Sequence, residues 1–235
     1  MSKKKRQSTA RRASKKVFGR TGAAPKPAPT RKTIAPAEKL DLYKKHKNEY
    51  LASAMASLVR VGPAMYLAYD GRGKSGATPE FANGIGAMYA VAFTLKMAYK
   101  SAGKDYAVTK LEALWSRDDD SAPPAKDEVW NWTLLIRVPP FVTGAEVSKT
   151  IDDLIAKGKP QEVRSVKLIE LHEDNCVQIL HVGSYQEEGP SIEKMRRFAE
   201  ISGRAFKGRH HEIYLSDPNK TAGDKLRTIL RQPVT

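Results

Sequence analysis

The 235-residue sequence contains one cysteine, Cys176. No intramolecular disulfide can form, and neither a cysteine-rich metal site nor an oxidising compartment is implied. Cys176 sits within an apolar, strand-like run and reads as a small buried hydrophobe. No apolar stretch approaches the roughly 20 residues needed to span a bilayer, and the N-terminus lacks the apolar segment of a secretory signal. A cytoplasmic protein without a membrane partner is the expectation. The Gly-x-Ser-x-Gly pattern of a nucleophile elbow is also missing, and no helix-turn-helix pattern accompanies the chain, which argues against a sequence-specific regulator. The loop Asp70 to Gly76 ends Gly73-Lys74-Ser75 like a phosphate-binding loop. The required first glycine would be residue 68, which is alanine, and no helix opens directly after Ser75, so nucleotide binding is not expected.

Acidic residues are absent before Glu38, whereas 12 of the 41 basic residues precede it, leaving 29 to face 26 acidic ones in the remainder. The formal charge of +15 is therefore a property of the N-terminal segment. Residues 1–37 combine Lys and Arg with Ala, Ser, Thr and Pro, and hold almost no large apolar side chain. Such a composition does not offset the entropy of ordering, so a disordered basic tail is expected, able to attract nucleic acid weakly and without specificity through counterion release. Residues 38–235, with 40% hydrophobic content over the whole chain, carry the folded domain.

Along that domain, Glu38 to Leu51 suits either a short helix or an extended arm. Ser57 to Tyr69 reads as a strand broken by Gly62-Pro63. Thr78-Pro79 supplies an N-cap and an N1 proline for a helix to about Tyr99, with Met88, Val91, Ala92, Leu95 and Ala98 on one face. Asp105 to Trp115 and Trp130 to Val138 follow as strands, separated by a polar loop whose Asp118-Asp119-Asp120 run reads as solvated. Thr143 and Glu146 form a capping box for a helix ended by Gly158. The second half repeats the plan: a hairpin of Val163 to His172 and Cys176 to Val182, a helix from Pro190 to Ile201, and strands His210 to Ser216 and Leu226 to Arg231. The fold expected is α+β, with duplicated β-α-β-β units related by a pseudo-two-fold axis and a ligand cleft between the halves.

Strict alternation over His210 to Ser216 places Ile213 and Leu215 on the core face and His210, Glu212 and Tyr214 on the other, so a carboxylate is aimed away from the core. His210-His211-Glu212-Ile213-Tyr214-Leu215-Ser216-Asp217-Pro218 resembles the last core strand of the GyrI-like small-molecule-binding domains. Trp130-Asn131-Trp132-Thr133-Leu134-Leu135-Ile136-Arg137, Cys176 to Tyr185 and Lys225 to Arg231 support the resemblance, which runs from about Glu38 to Val234. That family holds drug-binding modules of transcription regulators, a gyrase-inhibitory protein, and stand-alone proteins, some of which hydrolyse cyclopropane-bearing DNA alkylators. The resemblance implies that Glu212 is the pocket glutamate.

Aligning the two halves sets Leu111-Glu112-Ala113-Leu114-Trp115 against His211 to Leu215, making Glu112 the counterpart of Glu212. The pair is expected to border one cleft and to supply an acid and a base, since repulsion and burial hold at least one carboxyl protonated. Tyr214, Trp132, Trp115, Tyr66 and Tyr89 are the candidate ligand-binding aromatics, drawn from a supply that includes Trp130 and Tyr185; His181 is either a satisfied core histidine or a hydrogen-bonder in the pocket. Alternation puts Trp115 opposite Glu112, which sets it apart from that residue. His181, His210 and His211 have no cysteine at ligand spacing, and His210 and His211 face opposite ways, so neither a metal nor a cofactor is expected. The partner expected is a hydrophobic, aromatic or cationic drug-like compound. It is either hydrolysed, as the resemblance implies for electrophilic cyclopropane-bearing compounds, or bound without turnover as in a sequestering or sensing module.

Overall fold

Proline and threonine set the helix starts as the sequence predicts. In a computed structural model of the protein, which describes residues 38–74, 78–118 and 128–235, Thr78 accepts a hydrogen bond from the Phe81 amide at the head of the long helix Pro79–Ser101. Thr143 and Glu146 exchange the two bonds of a capping box ahead of the helix Gly144–Ala156. The basic tail, the Ser75–Gly76 end of the phosphate-loop lookalike, and Asp119 and Asp120 lie outside the described residues. Asp118, which is described, pairs with Arg72 at 2.6 Å.

The strands are β1 (Ser57–Val61), β2 (Ala64–Lys74), β3 (Leu111–Ser116), β4 (Val129–Val138), β5 (Lys167–Leu171), β6 (Asp174–Val182), β7 (His210–Tyr214) and β8 (Arg227–Pro233). The helices are α1 (Leu42–Lys45), α2 (Pro79–Ser101), α3 (Gly144–Ala156) and α4 (Gly189–Ile201). The strand predicted from Asp105 begins only at Leu111, because Tyr106 instead bridges Leu40 of the N-terminal arm. The strand predicted from Val163 begins at Lys167, after a 3-10 turn over Gln161–Ser165.

All eight strands form one antiparallel sheet in the order β1-β6-β8-β7-β3-β4-β2-β5. The order is a palindrome of the two halves, centred on the β3–β7 pair. The hairpin expected between β5 and β6 does not form: β5 pairs with β2, and β1 pairs with β6, so each half's first strand completes the other half's edge. The chain between β5 and β6, His172-Glu173, leads into Asp174 at φ +60, a left-handed conformation that costs a non-glycine residue energy.

The pairings also fix how the halves correspond. The shift that carries Ser57–Val61 onto Lys167–Leu171 also carries Ala64 onto Asp174. Followed through the β2–β4, β3–β4, β6–β8 and β7–β8 registers, it sets Ala113 against Glu212, Trp115 against Tyr214 and Glu112 against His211. The sequence alignment was therefore one residue out. A one-residue slip in a strand moves every side chain to the other face.

α2, α3 and α4 cover one face of the sheet. α2 and α3 seal a core of Leu67, Met88, Val91, Leu95, Leu134, Ile136, Val147 and Leu154, and α4 packs Met195 and Ala199 on Val177, Ile179 and Leu230. Because α2 lies over β2 and β4 while α4 lies over β6 and β8, the central strands β3 and β7 form the floor of a groove between them. The other face is covered at its centre by the arm, where Tyr50 packs on Ile213 and Ile229. The arm is both of the alternatives read from the sequence, a single helical turn followed by a 3-10 turn and extended chain. Among the described residues no helix is long and apolar enough to cross a membrane.

Two glycines let the layers close. A Cβ on Gly84 of α2 would sit 3.0 Å from the Tyr69 ring, and one on Gly71 of β2 would lie 2.0 Å from Trp132 Cη2, inside the indole that crosses that strand. Gly71→Ala should lower stability by about 1–3 kcal/mol through overpacking. Chemical denaturation would read this as a lower midpoint with an unchanged slope, and an unshifted midpoint would mean that the Trp132 ring moves aside without cost.

Candidate functional site

Glu212 stands on the groove floor because β7 alternates. His210, Glu212 and Tyr214 face the helices, and His211 and Ile213 face the arm. Its partners across the two ladders are Ala113 and Leu230. Trp115 projects on the same side, and its Nε1 donates to the Tyr214 hydroxyl at 3.4 Å. Tyr185 meets Tyr214 edge-on, with ring centroids 5.7 Å apart, and Phe81 of α2 stacks on Trp115 at 5.6 Å. The groove is thus walled by flat apolar rings around one carboxylate.

A second carboxylate joins it. Glu188, at the head of α4, is buried, and its carboxyl lies against that of Glu212. Burial, and after it the adjacent Glu212, push the Glu188 carboxyl far up, to about 10. Burial also raises Glu212, to about 7, against the opposing effect of hydrogen bonds from Tyr214, Glu188 and Trp115 and the charge of His211. Glu188 is therefore the group that holds a proton more firmly, and Glu212 the one that ionises first. His210, beside them, is held neutral: burial and then the neighbouring His211 lower it to about 4.

His181 aims this second carboxylate. One ring nitrogen lies 3.1 Å from Ser191 Oγ and the other 3.1 Å from the Ser184 carbonyl oxygen, which fixes the turn between β6 and α4 that presents Glu188. With both nitrogens occupied, His181 is a satisfied histidine supporting the groove. Glu188 was not singled out from the sequence. The signal was weak but present, an acidic residue directly before the Gly189-Pro190 helix start.

The expected Glu112–Glu212 pair is not formed. Glu112 is fully buried on the opposite face of the sheet, because Glu112 and Trp115 are three positions apart on a strand and Trp115 faces the groove. There it accepts a hydrogen bond from the Tyr50 hydroxyl at 3.0 Å and forms an ion pair with His211 Nε2 at 3.0 Å. His211 Nδ1 lies 2.9 Å from Glu173, which also binds Arg231 at 3.1 Å. Arg231 reaches Gln178 and the Glu49 carbonyl, and Glu49 pairs with Arg137 at 2.5 Å. Three carboxylates here meet two guanidiniums and one imidazole, a balanced set that pins the arm to the sheet. Burial lowers His211, but Glu173, with Glu112, more than reverses this and lifts it to about 9.

The aromatic candidates separate in the same way. Tyr66 is buried on the arm side, and burial, then Glu112, raise its phenol strongly. Trp132 is enclosed between Tyr69 and Phe81 and belongs to the helix-side core, without a free face for a ligand. Tyr89, on α2, stacks on Phe93 and lies near Asp217 in the loop after β7. Trp115 and Tyr214 remain with Glu212. A separate surface hollow of about 430 Å3, touching Leu114, Leu171, Lys207 and Arg209, does not include Glu212.

A duplicated antiparallel sheet with a ring-walled groove over a carboxylate defines a small-molecule-binding domain. The model of the GyrI-like small molecule binding domain family matches residues 73–234, and the chain belongs to that family. Among solved structures, an uncharacterized conserved protein from Listeria innocua is 32% identical and a hydrolase from the same organism 31% identical. Each alignment covers 84% of this chain and 100% of the other, with a TM-score of 0.76. The EcmrR C-terminal domain shares the fold at 11% identity and a TM-score of 0.51, over 77% of this chain and 97% of that domain. No curated protein matches the sequence.

Proposed function

We propose that the groove binds planar hydrophobic or cationic compounds and hydrolyses electrophilic ones that carry a strained ring, a detoxifying reaction. The observation that carries this reading is the Glu188–Glu212 carboxyl pair, set among Trp115, Tyr214 and Tyr185 where a flat molecule can stack. A water held between such a ligand and Glu212 attacks the ring carbon. Glu212 takes the proton of that water as the new C–O bond forms, and the ring C–C bond breaks with its electron pair moving into the electron-withdrawing body of the compound. Glu212 then passes its proton to that body, which restores the base and leaves a product that has gained one water. Glu188, which keeps its proton, hydrogen-bonds to the working carboxylate and orients it. The 31% identity to the Listeria innocua hydrolase over that protein's full length supports a hydrolytic reading.

Incubation of the purified protein with a cyclopropane-bearing alkylator should yield the ring-opened, water-added product, detected by mass spectrometry as a gain of one water. Unchanged compound that still quenches tryptophan fluorescence would overturn hydrolysis and leave a sequestering or sensing module.

A further inference from the structure

The groove floor has unmet bonding capacity. Glu188 Oε1 and His210 Nε2 are both buried without a hydrogen-bonding partner, and Glu188 is only 6% exposed. Glu188, His210 and Glu212 can each present one ligand atom, and these atoms all lie within 4.8 Å of one another. His210 Nε2 is 4.0 Å from Glu212 Oε1.

The imidazole is oriented as a ligand would be. Gln232 of β8 hydrogen-bonds to the ring, and the amide nitrogen of Gln232 is committed to the Lys207 carbonyl at 2.7 Å. Its oxygen is therefore the atom that accepts from the ring Nδ1–H, which leaves the lone pair on Nε2, pointing among the carboxylates. Two carboxyls and an imine nitrogen are all acceptors. One proton shared by Glu188 and Glu212 joins two of them and leaves His210 Nε2 empty, whereas a cation joins all three.

We propose that Glu188, His210 and Glu212 form a binding site for one divalent first-row transition-metal ion, with its open coordination positions facing the groove. One nitrogen and two carboxylate oxygens suit Zn2+, Co2+ or Mn2+, and the imidazole disfavours Mg2+ and Ca2+, which take oxygen ligands. Bonds of about 2.1 Å require the three side chains to close on the ion by roughly 1 Å, which rotation about their terminal torsions supplies. The ion would displace the proton shared by the carboxyls, so its affinity should rise with pH. The metal-loaded and proton-sharing states use the same carboxylates and are alternatives, so a bound ion would take Glu212 and Glu188 out of their acid–base roles. The site stands without the hydrolytic reading, because loading is read with no substrate present.

The test uses full-length protein stripped of metal by a chelator. Calorimetric titration with Zn2+ should give one site, and Co2+ should produce visible d–d absorption with the same stoichiometry. His210→Ala should abolish the Co2+ bands and weaken Zn2+ by at least about 100-fold. Gln232→Leu, which removes no ligand, should weaken Zn2+ by about 10- to 100-fold. Glu188→Gln is the second ligand variant if His210→Ala fails to fold. Absence of Co2+ bands in the unaltered protein, or Zn2+ binding of equal strength in the ligand variants, would overturn the site.

Discussion

Replacement of Glu212 by glutamine should reduce turnover of a strained-ring substrate by at least about 100-fold, the scale of general acid–base catalysis, while a neutral ligand binds almost as well. Glutamine preserves the shape and the bonds from Tyr214 and Trp115, but cannot take a proton from water. Single-turnover rates compared with tryptophan-quenching titrations separate the two quantities. Full activity in Glu212→Gln would eliminate the proposed mechanism. Equal loss of binding and turnover would reduce Glu212 to a ligand anchor. Glu112→Gln, on the arm face, should act through stability and leave ligand affinity in the remaining folded protein unchanged.

The second large effect concerns Glu173. It is 5% exposed and binds His211 and Arg231 at once, so Glu173→Gln leaves a buried guanidinium short of its counter-charge. Breaking such a set from one side costs about 3–5 kcal/mol. Burial alone would raise the Glu173 carboxyl, yet His211 and Arg231 hold it down at about 2, against an ordinary value of 4.5. A depressed carboxyl contributes stability that is fully present above its unfolded value and is lost as pH falls through its folded one. The unaltered protein should therefore lose stability between about pH 4.5 and pH 2, and Glu173→Gln should lack that component of the decline. Denaturation midpoints measured across this range decide the point, and parallel curves for the two proteins would show that Glu173 carries no such linkage.

Local signals in the sequence were readable where the physics is local. Thr78-Pro79 and Thr143 with Glu146 fix helix starts through bonds that reach three residues, and alternation over β7 correctly divided Glu212 and Tyr214 from Ile213. What failed needed contacts distant in sequence. The faces of β3 could be counted, but their alignment with β7 depended on the register of four ladders, and an error of one residue sent Glu112 to the wrong side. The pairing of β5 with β2 instead of β6 could not be inferred from turn residues. Glu188 reaches Glu212 from the head of a helix, through a turn shaped by His181, and no spacing rule joins them.

The exchange of first strands bears on how the protein folds and on what its halves are. It amounts to a domain swap inside a single chain: β1 must wait for β6, and β2 for β5, before either edge is capped. Neither half is a module that could be excised, because each would present an open edge and lack a neighbour for its longest strand. The duplication has become obligatory at the level of topology. With the arm bonded to Gln178 and Arg231, ordering from Leu40 to Leu51 also depends on strands laid down more than a hundred residues later, contacts whose loop-closure cost slows folding.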